Sequence, residues 1–144
     1  MEAEREIMSL MHQYCAAIDQ GDFKAFGQLF ADAEWLAEGV APSPEARRNV
    51  IIYEDGTPKT KHVLSNIEIT LQANTQSASA HSYVSVYQQT NDFPLQVIFV
   101  GEYFDQFECV NDRWRFKRRD IRRSLIGNLT AHLRQPGLTI PSAG

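Results

Sequence analysis

The sequence is poor in the features that announce the commonest chemistries. Only two cysteines occur in 144 residues, Cys15 and Cys109, so there is no disulfide framework and no CxxC pair for zinc or redox work. Two isolated thiols read most simply as core residues. The eight glycines are scattered and form neither a dinucleotide-binding GxGxxG nor a P-loop, so no run of backbone amides is offered to a nucleotide phosphate. Four dispersed histidines do not make a metal site; His12 and His132 in particular have no ligand partner at a recognised spacing. No apolar run approaches the roughly 20 residues that span a bilayer, and Met1 to Glu6 is acidic rather than a cationic leader. These absences predict a cytoplasmic protein with no membrane partner. An excess of basic residues is missing as well. A formal charge of -4 and a pI near 5.5 give no general attraction to phosphate backbones, so nucleic acid is not an expected partner.

What remains is a foldable composition, 43% apolar, 10% aromatic and 22% charged, in a chain that fits one domain and leaves no room for a two-domain enzyme. Residues 1–134 read as that domain. Residues 135–144 read as a Pro/Gly-containing tail that is free or laid over an opening.

From Glu2 to Asp19, Ile7, Leu10, Met11, Tyr14 and Ile18 recur at helical spacing on one stripe, and Gly21 ends the pattern. Asp22 can cap a second short helix from Phe23 to Phe30. Ala33 to Ala37 reads as a short strand, and Ser43-Pro44-Glu45 signals a third helix running to about Tyr53. After Gly56 and Pro58 the pattern changes to β-branched and aromatic runs: Lys59 to Leu71, Ser77 to Gln89, Leu95 to Val110, and Arg113 to about Ile126. Asn111-Asp112 between the last two tolerates the positive φ of a tight hairpin. Helices followed by long strands predict an α+β cone, with helices closing one face of a curved antiparallel sheet around a pocket.

Chemistry in such a pocket has to come from side chains. Asp19 ends the first helix, where the macrodipole is negative and a carboxylate wants a partner. It is otherwise part of a polar turn, Asp19-Gln20-Gly21-Asp22. His62 opens the first long strand, where it shares parity with Leu64 and Asn66 and opposes Ile67, Ile69 and Leu71, so alternation does not settle which way it faces. If the two meet, the carboxylate fixes the imidazole tautomer, frees the other nitrogen as a base and stabilises the imidazolium after proton transfer.

The run Tyr14-Cys-Ala-Ala-Ile-Asp19-Gln-Gly-Asp22, the segment Asp32-Ala-Glu-Trp35, Thr60-Lys-His62-Val-Leu-Ser-Asn66, and Gly101-Glu-Tyr103 leading to Asp112-Arg-Trp114-Arg-Phe116-Lys-Arg-Arg119 resemble the SnoaL-like branch of the nuclear transport factor 2-like superfamily. Within that branch the pattern is similar to scytalone dehydratase, bile acid 7α-dehydratase and hexachlorocyclohexane dehydrochlorinase. The resemblance spans roughly residues 5–130. It implies a cone-shaped α+β barrel, a homodimer or homotrimer, and cofactor-free elimination from a small cyclic substrate by an Asp–His dyad, onto which Asp19 and His62 fall. Tyr14 matches the tyrosine that the bile acid enzyme places in its pocket, where the dehydrochlorinase has lysine, which favours a hydroxyl leaving group over halide. Arg119 matches the dehydrochlorinase arginine that stabilises the departing anion, although Arg113, Arg115, Lys117, Arg118, Arg122 and Arg123 crowd the same strand and most must be solvated or at an interface.

Trp35, Asn66, His81, Tyr83 and Tyr103 complete the candidate substrate-binding set. For His81 and Tyr83, which share one strand face with Tyr87, an amphipathic face with aromatic packing is an equal alternative. The expected function is a dehydratase or isomerase without cofactor or metal. The alternatives are a non-catalytic subunit similar to the small β subunit of ring-hydroxylating dioxygenases, and a ligand-binding protein without turnover.

Overall fold

A computed structural model describes residues 2–43, 49–74 and 76–135. Helix α1, Glu2–Asp19, buries Ile7, Met11 and Tyr14 of the predicted stripe together with Cys15 and Ala17, while Leu10 and Ile18 are half-buried against the core. Gly21 breaks it at a φ of 72°, and a Cβ there would sit 2.1 Å from the Gly56 carbonyl oxygen, so only glycine fits. Helix α2, Phe23–Leu29, is capped by Asp22, whose carboxylate accepts from the Ala25 amide at 3.0 Å.

Five strands follow: β1 (Glu34–Ala37), β2 (Thr60–Leu71), β3 (Ser77–Gln88), β4 (Gln96–Val110) and β5 (Arg113–Ile126). They lie in one curved sheet in the order β1-β5-β4-β3-β2. The four long strands pair antiparallel, and the β4–β5 turn uses Asn111 and Asp112 at φ of 53° and 64°. The sheet is mixed rather than wholly antiparallel, because β1 lies parallel to β5. Chain order explains this: β1 reaches the sheet edge from the helices, with three strands to follow before its partner is made.

The third helix does not form over residues 49–53, and the rest of its predicted span lies outside the described residues. Those five residues run without regular structure because the end of the chain claims them. Val50 bridges Leu133, and the Ile51 amide donates to the His132 carbonyl at 2.8 Å.

Bulges decide which side chains face inward. In β2 the pairing register shifts between Ser65 and Glu68, and Asn66 takes a φ of 51°. One extra residue reverses parity. His62 and Leu64 before the bulge and Ile67 and Ile69 after it therefore all turn toward the helices, which resolves the conflict in the alternation. In β3 the buried positions are Ala78, Ala80, Ser82, Val84, Val86 and Gln88. The two small alanines let α1 approach closely, and Ile7 and Met11 pack there with Phe107, Trp114 and Phe116. A second cluster, with Tyr14, Val84, Val86, Ile98, Tyr103 and Leu129, lies beside a chamber at the wider end.

Candidate active site

The chamber holds about 340 Å³, enough for a fused-ring molecule, and its wall is mainly apolar: Ile18, Val86, Phe99, Ile121, Leu129 and Leu133 among others. Its polar lining comes from Tyr14, Trp35, Glu38, His62, Tyr103, Arg123 and His132.

Asp19 and His62, separated by 43 residues, meet behind that wall. His62 Nδ1 lies 2.6 Å from Asp19 Oδ1, and the His62 amide donates to Oδ2 at 2.8 Å. The Thr60 hydroxyl donates to Oδ1 at 2.9 Å. Three donors from the start of β2 thus compensate the unfavourable position of a carboxylate at a helix C-terminus. The pair is nearly dry, with side-chain exposures of 9% for His62 and 8% for Asp19. Burial opposes charging the Asp19 carboxyl, but hydrogen bonding and attraction from His62, with Thr60, outweigh it and hold the group below the ordinary carboxylate range. With Asp19 ionised, Nδ1–H donates to it, and Nε2 is the ring nitrogen left for the chamber that His62 lines.

Tyr14 comes from α1, one and a half turns before Asp19. Its hydroxyl accepts from Trp35 Nε1 at 3.1 Å, and its ring meets that of Tyr103 edge-on at 5.6 Å. Burial raises both phenols, strongly for Tyr103, so both stay protonated at neutral pH even beside Arg119.

Arg119 does not reach the chamber. Its guanidinium is fully buried behind the two tyrosines, 4.2 Å from the Tyr14 ring centre and 3.8 Å from that of Tyr103. Asp105 claims it through two bonds of 2.7 Å, Nε to Oδ1 and Nη2 to Oδ2. Burial opposes the charge, but Asp105 more than offsets that, and the guanidinium stays protonated. Its place is to hold the tyrosines, at one remove from any ligand.

Three other predicted residues lie away from the chamber. Asn66 is exposed at the β2 bulge, which turns it outward. His81 and Tyr83 share the predicted face of β3, but it is the outer one, since Ala80, Ser82 and Val84 occupy the inner. There His81 Nε2 meets Glu102 Oε1 at 2.7 Å and its ring stacks on Phe104 at 4.5 Å. Trp35 and Tyr103, by contrast, line the chamber with Tyr14 and His62. His132 lines it too, a residue whose local sequence carries no signal of such a place. Among the described residues no group of three or more His, Cys, Asp or Glu could share a metal ion, and no helix is long and apolar enough to cross a membrane.

Two helices on a curved mixed sheet, enclosing a chamber with a buried carboxylate–imidazole pair on its wall, define an α+β pocket protein of cystatin-like architecture. The chain belongs to the SnoaL-like domain family, whose pattern matches residues 1–120. Among solved structures it is similar to a candidate scytalone dehydratase from Novosphingobium aromaticivorans at 25% identity and a TM-score of 0.63, covering 85% of each chain. A nuclear transport factor 2-like protein with a cystatin-like fold from the same organism aligns at 20% identity and a TM-score of 0.65, over 90% of this chain and 86% of that one. The β subunit of a candidate aromatic-ring-hydroxylating dioxygenase, also from that organism, aligns at 18% identity and a TM-score of 0.64, over 91% of this chain and 95% of that one. These last two likenesses carry the fold alone. No curated protein matches the chain.

Proposed function

We propose that the protein is a cofactor-independent dehydratase or isomerase acting on a small cyclic molecule that carries a ketone, with Asp19 and His62 as its general-base dyad. The observation that carries this reading is the 2.6 Å Asp19–His62 contact, buried beside a mainly apolar chamber that His62, and not Asp19, lines. Nε2 takes a proton from the carbon next to the carbonyl, and Asp19 stabilises the resulting imidazolium. The electron pair released forms the new double bond as the C–O bond to a β-hydroxyl breaks. The proton on the imidazolium then joins the departing hydroxide as water, so base and tautomer are restored. In an isomerisation the same proton returns to a different carbon. Tyr14, kept as a phenol, hydrogen-bonds the leaving oxygen.

The likeness to a candidate scytalone dehydratase supports the elimination form of the reading. Retention of a ligand with no turnover would instead mark a binding protein built on the same chamber. A homo-oligomer is part of the proposal: the outer sheet face exposes Val63, Tyr83, Val97, Phe104 and Leu125, next to Glu68, Glu102, Arg118 and Arg122. A patch of mixed sign and apolar content suits a copy of itself, and light scattering on the eluting protein reads the stoichiometry.

The test of activity is a panel of cyclic β-hydroxyketones followed by the absorbance of the conjugated enone. The expected result is turnover by the wild type, lost by roughly 10²–10⁴-fold in both Asp19→Asn and His62→Ala. Equal rates in folded wild type and variants overturn the dyad.

A further inference from the structure

Beyond the dyad, we infer that His132 is a second catalytic residue, one that hydrogen-bonds a substrate oxygen inside the same chamber. In its catalytic part the inference rests on the function proposed above; as a statement about ligand binding it stands alone.

The backbone around His132 is fastened far more thoroughly than its surroundings require. Residues 129–133 belong to neither helix nor strand, yet the His132 and Leu133 amides both bond to the Leu129 carbonyl, at 3.0 and 2.9 Å. The His132 carbonyl accepts from the Ile51 amide at 2.8 Å, and the Arg134 amide donates to Asn49 at 2.8 Å. The Ala131 carbonyl accepts from the Tyr53 hydroxyl and, at 3.0 Å, from Gln88 Nε2 at the end of β3. One short turn is therefore tied to the 49–53 segment and to the sheet.

The ring receives nothing comparable. Among the described residues His132 Nδ1 is buried with no hydrogen-bond partner, although the side chain lines the chamber. A buried polar atom left unpaired costs on the order of 1–3 kcal/mol in a folded protein, and such atoms are ordinarily met by an ordered water or by a bound ligand. Fixing the backbone while leaving the imidazole unpaired is the arrangement expected of a residue whose partner arrives from outside.

The ionisable groups around the ring decide which form it presents. Burial disfavours the charged form, His62 adds to that and Asp19 opposes it, so His132 is pushed down to about 4. Glu38 and Arg123, the other charged groups of the lining, are engaged with each other: the Arg123 amide donates to Glu38 Oε1 at 2.6 Å, with Nε at 3.3 Å. His132 is thus uncharged at neutral pH, with one N–H donor and one lone pair. An uncharged imidazole can donate to a carbonyl oxygen and stabilise the charge that collects there when His62 takes the adjacent proton. The ligand class that follows is a ring system with a carbonyl, or with a phenol or enol in its place.

The test uses 2-naphthol, whose hydroxyl stands for the enol oxygen, and naphthalene, which has none. Binding of each to wild type, His132→Phe and His132→Gln is measured by fluorescence titration, with ring nitrogen NMR shifts of the wild type as a second readout. The expected outcome is a preference of the wild type for naphthol over naphthalene that shrinks about tenfold in His132→Phe. It is recovered in part in His132→Gln, and naphthol moves the His132 nitrogen signals. Asp19→Asn, which changes no residue of the chamber lining, keeps the preference even though turnover is lost, so failure of the dyad and failure of His132 are read separately. An equal preference in wild type and His132→Phe, or no naphthol binding by the wild type, overturns the inference. Because His132→Phe removes no protein hydrogen bond, its Tm at pH 7 stays at or above that of wild type; a drop of several degrees would mark the residue as structural instead.

Discussion

A carboxylate–imidazole pair lies against each face of the sheet, and only one of them is buried beside a chamber. Asp19 and His62 on the concave side are 2.6 Å apart, and His81 and Glu102 on the convex side are 2.7 Å apart. Distance does not separate them. Exposure does: 8% and 9% inside against 32% and 40% outside. Inside, Asp19 has two further donors and His62 lines a mainly apolar chamber. Outside, water and salt weaken the attraction, and the ring packs against Phe104 on an open surface. What distinguishes two equally short carboxylate–imidazole contacts is what surrounds them.

The comparison breaks most visibly in activity. Asp19→Asn and His62→Ala are expected to lower turnover by roughly 10²–10⁴-fold, whereas His81→Ala and Glu102→Gln should stay within about threefold of wild type. A large loss from the outer pair would mean that the convex face takes part in the reaction.

Sequence reasoning reached the inner pair and misread the outer face for identifiable reasons. Helical spacing from Ile7 to Ile18 placed Tyr14 and Asp19 on one helix, and Gly21 ended it at a position where only glycine fits. Parity placed His81 and Tyr83 together, but parity is symmetric about the sheet. Which face turned inward was decided by the smaller Ala78, Ala80 and Ser82, which accept the close approach of α1. The reversal at Asn66 depends on a bulge that alternation records only as a contradiction. Residues 49–53 follow a proline-containing helix signal, yet long-range bonds to the 129–134 segment override it. His132 becomes visible only once that segment is folded back, because its local sequence contains no motif. Arg119 stood out from its basic strand only through the family resemblance, and not as the partner of Asp105, since β4–β5 register decides that contact.

A second difference between the faces should appear in stability. Asp105→Asn leaves the Arg119 guanidinium charged and buried under Tyr14 and Tyr103, with a cost of about 3–5 kcal/mol in urea unfolding. Replacing both partners with apolar residues, Arg119→Met with Asp105→Leu, should recover much of that loss. If it does not, the guanidinium also acts on the tyrosines in a way that packing cannot replace.

The concave side also predicts a pH dependence. A histidine titrates near 6.5 in the unfolded chain, and His132 near 4 in the folded one, so between those values the unfolded state binds the extra proton. Its contribution to stability is therefore complete above pH 6.5 and is lost as the pH falls toward 4, by up to roughly 3 kcal/mol. Unfolding curves for wild type and His132→Phe at pH 7 and pH 4.5 isolate it, because the variant should be less sensitive to acid by about that amount. Parallel losses in the two proteins would place the acid-sensitive group elsewhere.

The smallest effect belongs to the convex pair, and it sharpens the contrast because its contact is nearly as short as the inner one. Glu102→Gln keeps the shape of the side chain and removes its charge. With more than a third of the His81 side chain in contact with water, the attraction is screened and both side chains are free to move apart. The expected loss is less than about 1 kcal/mol, smaller still in high salt, with no change in turnover. A loss that persists at high salt would show that the His81–Phe104 stack, rather than the charge, holds this face together, and His81→Phe, which keeps the stack and discards the contact with Glu102, would then retain wild-type stability.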